Sequence, residues 1–309
     1  MHICLVNDTR LPTKKYGGTE RLIAWLIGEY LKLGHRVSVV APTGTALPGV
    51  ECIPADTHED ALQVIPKSAD IVHFHSWGPP PDFDRPWIYT LHGVAEGAVL
   101  PKNTVCISRS HARQHNVKVV VYNGVNPDEF HFRERKQDYL LFFSLIRRRA
   151  KGAERAIRLA RRYGHRTIFA GGTRLDLIKG GGLLESFHPG LKFVGKVAGE
   201  EKAELFSNAK ALLFPISWEE PFGLVLVESL LSGTPVVATP RGAVPELVPP
   251  EVGALFTTDE EFPDALERAM ACRPLDCREW AMANFSSAVC AGNYLTLYER
   301  LLGGEDVFG

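Results

Sequence analysis

The sequence predicts an α/β protein built from two successive parallel-sheet domains. Three observations carry that reading. Short apolar, β-branched runs alternate with amphipathic helical stretches, the pattern of a parallel sheet covered on both faces. The alternation halts at a polar stretch and then begins again. The length, 309 residues, suits two domains of ordinary size, each able to bury a core.

His2 to Val6 is the first apolar strand. Gly17-Gly18 then opens a helix from Thr19 to Leu33, with Leu22, Ile23, Leu26, Ile27, Tyr30 and Leu31 at helical spacing. Gly34 ends it. Arg36 to Ala41, Asp70 to His75, Trp87 to Leu91, Thr104 to Ile107 and Lys118 to Tyr122 are further strands. The turn formers Asn123-Gly124-Val125-Asn126-Pro127 and the polar run Asp128 to Asp138 mark the boundary. Beyond it come strands Tyr139 to Ser144, Thr167 to Ala170, Leu191 to Val194, Ala211 to Pro215 and Pro235 to Ala238. Helices fall at Gly152 to Tyr163, Leu224 to Leu231 and Phe285 to Leu302. The domains are therefore set at 1–130 and 137–284. The segment 285–309 is a C-terminal helix free to cross back to the first domain. Loops after the C-terminal strand ends are where chemistry is expected.

Composition narrows the function. Hydrophobic residues make up 45% and charged residues 23%, with a net charge of -1, which calls for no nucleic acid. No apolar run approaches the ~20 residues that span a bilayer, so no transmembrane segment is expected. The start lacks a charged leader before a long apolar region, so no signal peptide is read and a cytoplasmic protein is expected. The first helix has few basic residues and no strong membrane-binding face, though a peripheral membrane contact stays open, as does the oligomeric state. Cys4, Cys52, Cys106, Cys272, Cys277 and Cys290 form no C-x-x-C pair and read as reduced thiols; a zinc site at Cys272 and Cys277 is disfavoured.

The most informative segment is Ser217-Trp218-Glu219-Glu220-Pro221-Phe222-Gly223-Leu224-Val225-Leu226-Val227-Glu228. Pro221 and Gly223 shape a turn and the helix starts near Leu224. Backbone N–H groups at Phe222, Gly223 and Leu224 then form an anion site. Glu220 precedes the helix and Glu228 lies about one turn into it, on the side of Leu224. Each carboxylate can accept hydroxyl hydrogen bonds from a sugar or a ribose. The plain alternative is an acidic first turn favoured by the helix dipole.

Glu220 to Glu228 resembles the E-x7-E motif of retaining GT-B glycosyltransferases (the family 4-like group). The likeness runs on through Ser229-Leu230-Leu231-Ser232-Gly233-Thr234-Pro235-Val236-Val237-Ala238 and Gly242-Ala243-Val244-Pro245-Glu246. Tyr16-Gly17-Gly18-Thr19-Glu20-Arg21 is similar to that family's N-terminal glycine loop. Val72-His73-Phe74-His75 and Thr90-Leu91-His92-Gly93 resemble its two histidine-bearing strand ends, and Phe193-Val194-Gly195-Lys196 the turn whose backbone meets the nucleobase. The resemblance implies two Rossmann-like domains facing each other across a cleft. It implies transfer of a sugar from a nucleoside-diphosphate sugar, with a UDP-sugar favoured, to a carbohydrate or other hydroxyl acceptor. No further cofactor and no metal are expected.

The resemblance implies roles residue by residue. Gly17 and Gly18 would let backbone approach the ligand, His92 would contact the donor sugar, Glu220 would hold its hydroxyls and Glu228 the ribose. Lys151, in Lys151-Gly152, would bind the diphosphate. One region departs from the pattern: where the family has Gly-Arg, this chain has Phe143-Ser144-Leu145-Ile146-Arg147-Arg148-Arg149. Arg147 is the favoured substitute, with Arg148 and Arg149 as rivals and a solvated basic helix start as the alternative. The resemblance names no carboxylate nucleophile and favours front-side attack, in which the leaving phosphate takes the acceptor's proton. His73 and His75 share a strand face, but a metal there lacks a third ligand. A structural role for His75 is kept. Asp82-Phe83-Asp84 sits in a proline-rich loop and reads as surface. A nucleotide-sugar epimerase and a non-catalytic nucleotide-sugar binder are the alternatives.

Overall fold

The computed structural model describes residues 1–13 and 17–309, so Tyr16 of the glycine loop lies outside the described residues. The chain divides into two compact units, Met1–Val125 with Ser286–Gly309, and Asn126–Phe285.

The first unit runs β1 (His2–Val6), α1 (Gly18–Lys32), β2 (Arg36–Ala41), β3 (Glu51–Pro54), α2 (His58–Val64), β4 (Ile71–Phe74), β5 (Trp87–Leu91), β6 (Thr104–Cys106), α3 (Arg109–His115) and β7 (Val119–Val120). Its seven strands form one sheet in the order β3-β2-β1-β4-β5-β6-β7, every pairing parallel. The central strands are buried because both faces are covered: β1 is buried at all five positions.

The second unit runs β8 (Gln137–Phe143), α4 (Ala153–Arg162), β9 (Thr167–Ala170), α5 (Leu177–Gly180), β10 (Leu191–Gly195), α6 (Gly199–Asn208), β11 (Ala209–Phe214), α7 (Leu224–Leu231), β12 (Val236–Ala238), α8 (Val244–Leu247), β13 (Gly253–Leu255), α9 (Phe262–Met270) and α10 (Pro274–Phe285). Its sheet has six strands in the order β10-β9-β8-β11-β12-β13, again parallel throughout. The order reverses between β8 and β11. In open parallel sheets, such a reversal is where loops at the C-terminal strand ends form ligand sites.

The last helix, α11 (Ser287–Leu302), belongs to the first unit. Its Cys290, Tyr294, Leu297 and Tyr298 join a core with Leu22, Leu26 and Tyr30 of α1. Gly124 permits the return: a Cβ there would lie 2.5 Å from the Ser286 carbonyl oxygen.

The division falls between Val125 and Asn126, ahead of the polar run at 128–138. That run is no linker. Phe130 packs its ring against Phe206, and Arg133 donates to Asn208 and Glu204 of α6. The strand read at Lys118 to Tyr122 is only Val119–Val120, and β3, α2, α3, α5, α6, α8, α9, α10 and β13 add to the elements read from the sequence.

Candidate active site

In the second unit, two loops meet at the reversal point. One leaves β8 and carries Ser144 to Gly152. The other leaves β11 and carries Pro215 to Gly223. They are joined by the backbone: Ser217 N–H donates to the Ala150 carbonyl at 3.0 Å. Gly152 sits at φ 81° in the left-handed region, and a Cβ there would meet the Pro215 carbonyl oxygen at 2.2 Å. Only glycine allows both the turn and the approach. This is the physical content of Lys151-Gly152.

The approach brings Lys151 Nζ 2.7 Å from Glu220 Oε2. The Trp218 indole N–H donates to the same oxygen at 3.1 Å, and the Lys151 ammonium lies 4.2 Å from the centre of the Trp218 ring. Glu220 is 7% exposed. A carboxylate so buried needs these donors. Three groups that the sequence scatters over 69 positions therefore form one charged knot.

The segment holding Glu220 is braced from below. Phe222 is buried against the Phe285 ring. Gly242 lies so close that a Cβ would fall 2.3 Å from the Glu220 backbone nitrogen. Ala243 N–H donates to the Glu220 carbonyl and Gly242 N–H to the Glu219 carboxylate. Glu219 is thus spent on a loop clamp, while Glu220 points to Lys151. Gly223, at φ 92°, caps α7 without a side chain, so the helix opens with backbone N–H groups. Gly223 and Leu224 are half-buried.

Glu228 is the fifth residue of α7 and is not an open carboxylate. It is 2% exposed, and Lys202 of α6 donates to its Oε1 at 2.5 Å. The Lys202 ammonium also faces the rings of Phe130, Phe143 and Phe206 at 5.2–5.8 Å. Sequence reading missed Lys202. The signal was present: Lys202, Ala203 and Phe206 share the buried face of an amphipathic helix, and a lysine there requires a buried partner.

The remaining predicted residues of this unit lie along the same C-terminal edge. Arg147, Arg148 and Arg149 are all exposed; Arg149 Nε donates to the Lys179 carbonyl, which anchors it to α5. Gly195 ends the edge strand β10 and its carbonyl accepts from Gly171 N–H at 2.7 Å. Lys196 follows it, exposed.

Gly17, Gly18 and His92 belong to the first unit. Gly18 begins α1, and a Cβ at Gly17 would lie 2.1 Å from the Glu20 carboxylate. His92 follows β5 and its Nε2 lies 2.9 Å from His75 Nδ1. Burial pushes the His92 pKa down to about 3, so the ring is neutral near pH 7. His73 is committed to Tyr298 and Thr90. Among the described residues, the side chains close enough to share a cation are His131, Glu200 and Glu204. These lie on the surface, and Glu204 already accepts from Arg133. The six cysteines are free thiols.

Residues 126–283 match the family described as glycosyl transferases group 1. The chain belongs to this family. Two curated relatives agree. An uncharacterised glycosyltransferase of Methanocaldococcus jannaschii is 29% identical over 53% of this chain and 46% of its own length. The D-inositol 3-phosphate glycosyltransferase of Streptomyces griseus is 39% identical over 27% of this chain and 16% of its own. The chain thus spans less than half the length of the curated relatives it matches first. Among solved structures, AviGT4, a glycosyltransferase involved in avilamycin A biosynthesis, superposes with a TM-score of 0.83 at 25% identity, over 98% of both chains. Anabaena HepE, solved with UDP-glucose, gives 0.72 at 17% identity over 97% of this chain and 100% of its own. The fold is therefore the GT-B pair of parallel-sheet, Rossmann-like domains. Among the described residues, no helix is long and apolar enough to cross a membrane.

Proposed function

We propose that this group 1 family member is a retaining glycosyltransferase that moves a sugar from a nucleoside-diphosphate sugar to an acceptor hydroxyl, with no metal required. The observation that carries the reading is the Lys151–Glu220 pair, held at 2.7 Å where the sheet order reverses. An ammonium beside a buried carboxylate can bridge to a phosphate, since it has three N–H donors and the carboxylate uses one. Charge growing on the leaving diphosphate then meets Lys151, the exposed Arg147 and the N–H groups opened by Gly223. Glu220 accepts from hydroxyls of the transferred sugar, and Glu228, steadied by Lys202, from the ribose. His92, in the first unit, is assigned to the donor sugar as a neutral ring.

HepE was solved with UDP-glucose, which supports a UDP-sugar as donor here. A cytoplasmic setting fits free thiols and a supply of nucleotide sugars. The test is a thermal-shift screen of nucleoside diphosphates. A ligand at 100 times its Kd should stabilise the native state by about 2.7 kcal/mol, and UDP is expected to give the largest shift. A flat response to every nucleoside diphosphate would remove the donor-site reading.

A further inference from the structure

The C-terminal ends of β4 and β5 hold a row of histidines whose hydrogen bonds can be followed proton by proton. His73 has both ring nitrogens occupied, Nδ1 at 2.7 Å from the Tyr298 hydroxyl and Nε2 at 2.8 Å from Thr90 Oγ1. His111 Nε2 lies 2.9 Å from the Gly93 carbonyl oxygen, which can only accept, so His111 carries its proton on Nε2. Beside them His75 and His92 share one bond, Nδ1 to Nε2, at 2.9 Å. His75 is 4% exposed, and its Nε2 has no hydrogen-bond partner among the described residues.

A bond between two imidazoles contains one proton, and two neutral arrangements supply it. If His92 donates from Nε2, His75 accepts on Nδ1 and must carry its own proton on Nε2, a buried N–H with nothing to receive it. If His75 donates from Nδ1, its Nε2 is a bare lone pair, and His92 carries its proton on Nδ1. An orphaned buried N–H is the rarer and costlier of the two. Burial also pushes the pKa values of both rings below the ordinary histidine range, which leaves the doubly protonated forms unpopulated at neutral pH.

We infer that His75 is a positioning residue that fixes His92 as the neutral Nδ1–H tautomer, so that His92 meets a ligand oxygen as a hydrogen-bond donor and not as a proton acceptor. The consequence for turnover rests on the role proposed above for His92; the tautomer itself does not. A donor at this place can hold a sugar hydroxyl or a developing oxyanion, and it leaves the acceptor's proton to be taken elsewhere.

The test reads the rings directly. Long-range proton–nitrogen correlation spectra of the ¹⁵N-labelled full chain at pH 7, assigned with His75→Gln and His92→Gln, should show Nδ1 protonated and Nε2 bare in both residues. A protonated Nε2 on His92 would overturn the inference. In His75→Leu the His92 nitrogens should lose that pattern, and kcat should fall about tenfold with KM within about twofold. His75→Asn, whose amide N–H can take the donor's place, should restore most of the rate and the His92 pattern. An unchanged His92 pattern in His75→Leu would also overturn the inference. A wild-type kcat in His75→Leu alongside a changed pattern would support the tautomer assignment and remove the role proposed for His92 in turnover.

Discussion

Glu228→Gln separates binding from stability only when Lys202 is included. The substitution keeps the side-chain shape and removes the charge that Lys202 Nζ meets at 2.5 Å. Both partners are nearly buried, with 10% and 3% of their side chains exposed. Breaking such a pair from one side leaves the other charge uncompensated, at a cost of about 3–5 kcal/mol. For a unit of this size a loss of about 3 kcal/mol lowers Tm by roughly 6–12 °C. The same substitution should weaken UDP binding, because the ribose hydroxyls lose a charged acceptor worth about 1–3 kcal/mol. Adding Lys202→Met restores charge balance with a side chain of similar length. The double variant should recover most of the stability and none of the UDP affinity. Urea unfolding and isothermal titration with UDP give both quantities. If the double variant binds UDP as wild type does, Glu228 serves only Lys202 and its ribose role is wrong.

Three further outcomes are expected. Lys151→Ala should weaken UDP much more than uridine, by about 1.5–3 kcal/mol for hydrogen bonds to charged groups; equal losses for both ligands would make the loop merely structural. Gly152→Ala should destabilise the protein by at least about 1–3 kcal/mol in thermal unfolding, since alanine must adopt φ 81° with its Cβ 2.2 Å from Pro215 O; an unchanged Tm would contradict the close packing. Acid should destabilise through His92, whose pKa falls from 6.5 when unfolded to about 3 in the fold. The unfolded chain binds the extra proton first, so stability is level above pH 6.5 and is lost as pH falls toward 3, by about 2 kcal/mol at pH 5. His75 is depressed in the same sense, so His92→Gln should make that part of the urea-midpoint profile shallower without flattening it, and an unaltered profile would show that the His92 ring titrates normally.

The sequence made the fold legible where an element has a strong period or a strong signature. Trp87–Leu91, Thr167–Ala170 and Leu224–Leu231 fall at the residues read for them. It was silent where polarity hides a helix: α3 is Arg-Ser-His-Ala-Arg-Gln-His, made by its Ser108 cap and a left-handed Asn116 rather than by an apolar stripe. It was also silent on β3, an edge strand with no fully buried position that ends in proline. For the candidate site, the contact between Lys151 and Glu220 was not legible, because no local rule connects positions 151 and 220. What pairs them is a glycine that lets two loops touch. The polar run at 128–138 misled because charged residues can pack on their own domain as well as link two.

The most direct test is release of nucleoside diphosphate from a panel of UDP- and GDP-sugars, in excess EDTA, with and without simple sugar acceptors. The account predicts release above background by the wild-type chain, undiminished by the chelator and largely lost in Lys151→Ala and Glu220→Gln. Activity abolished by EDTA and restored by Mn²⁺ or Mg²⁺, or activity that survives both substitutions, would contradict it.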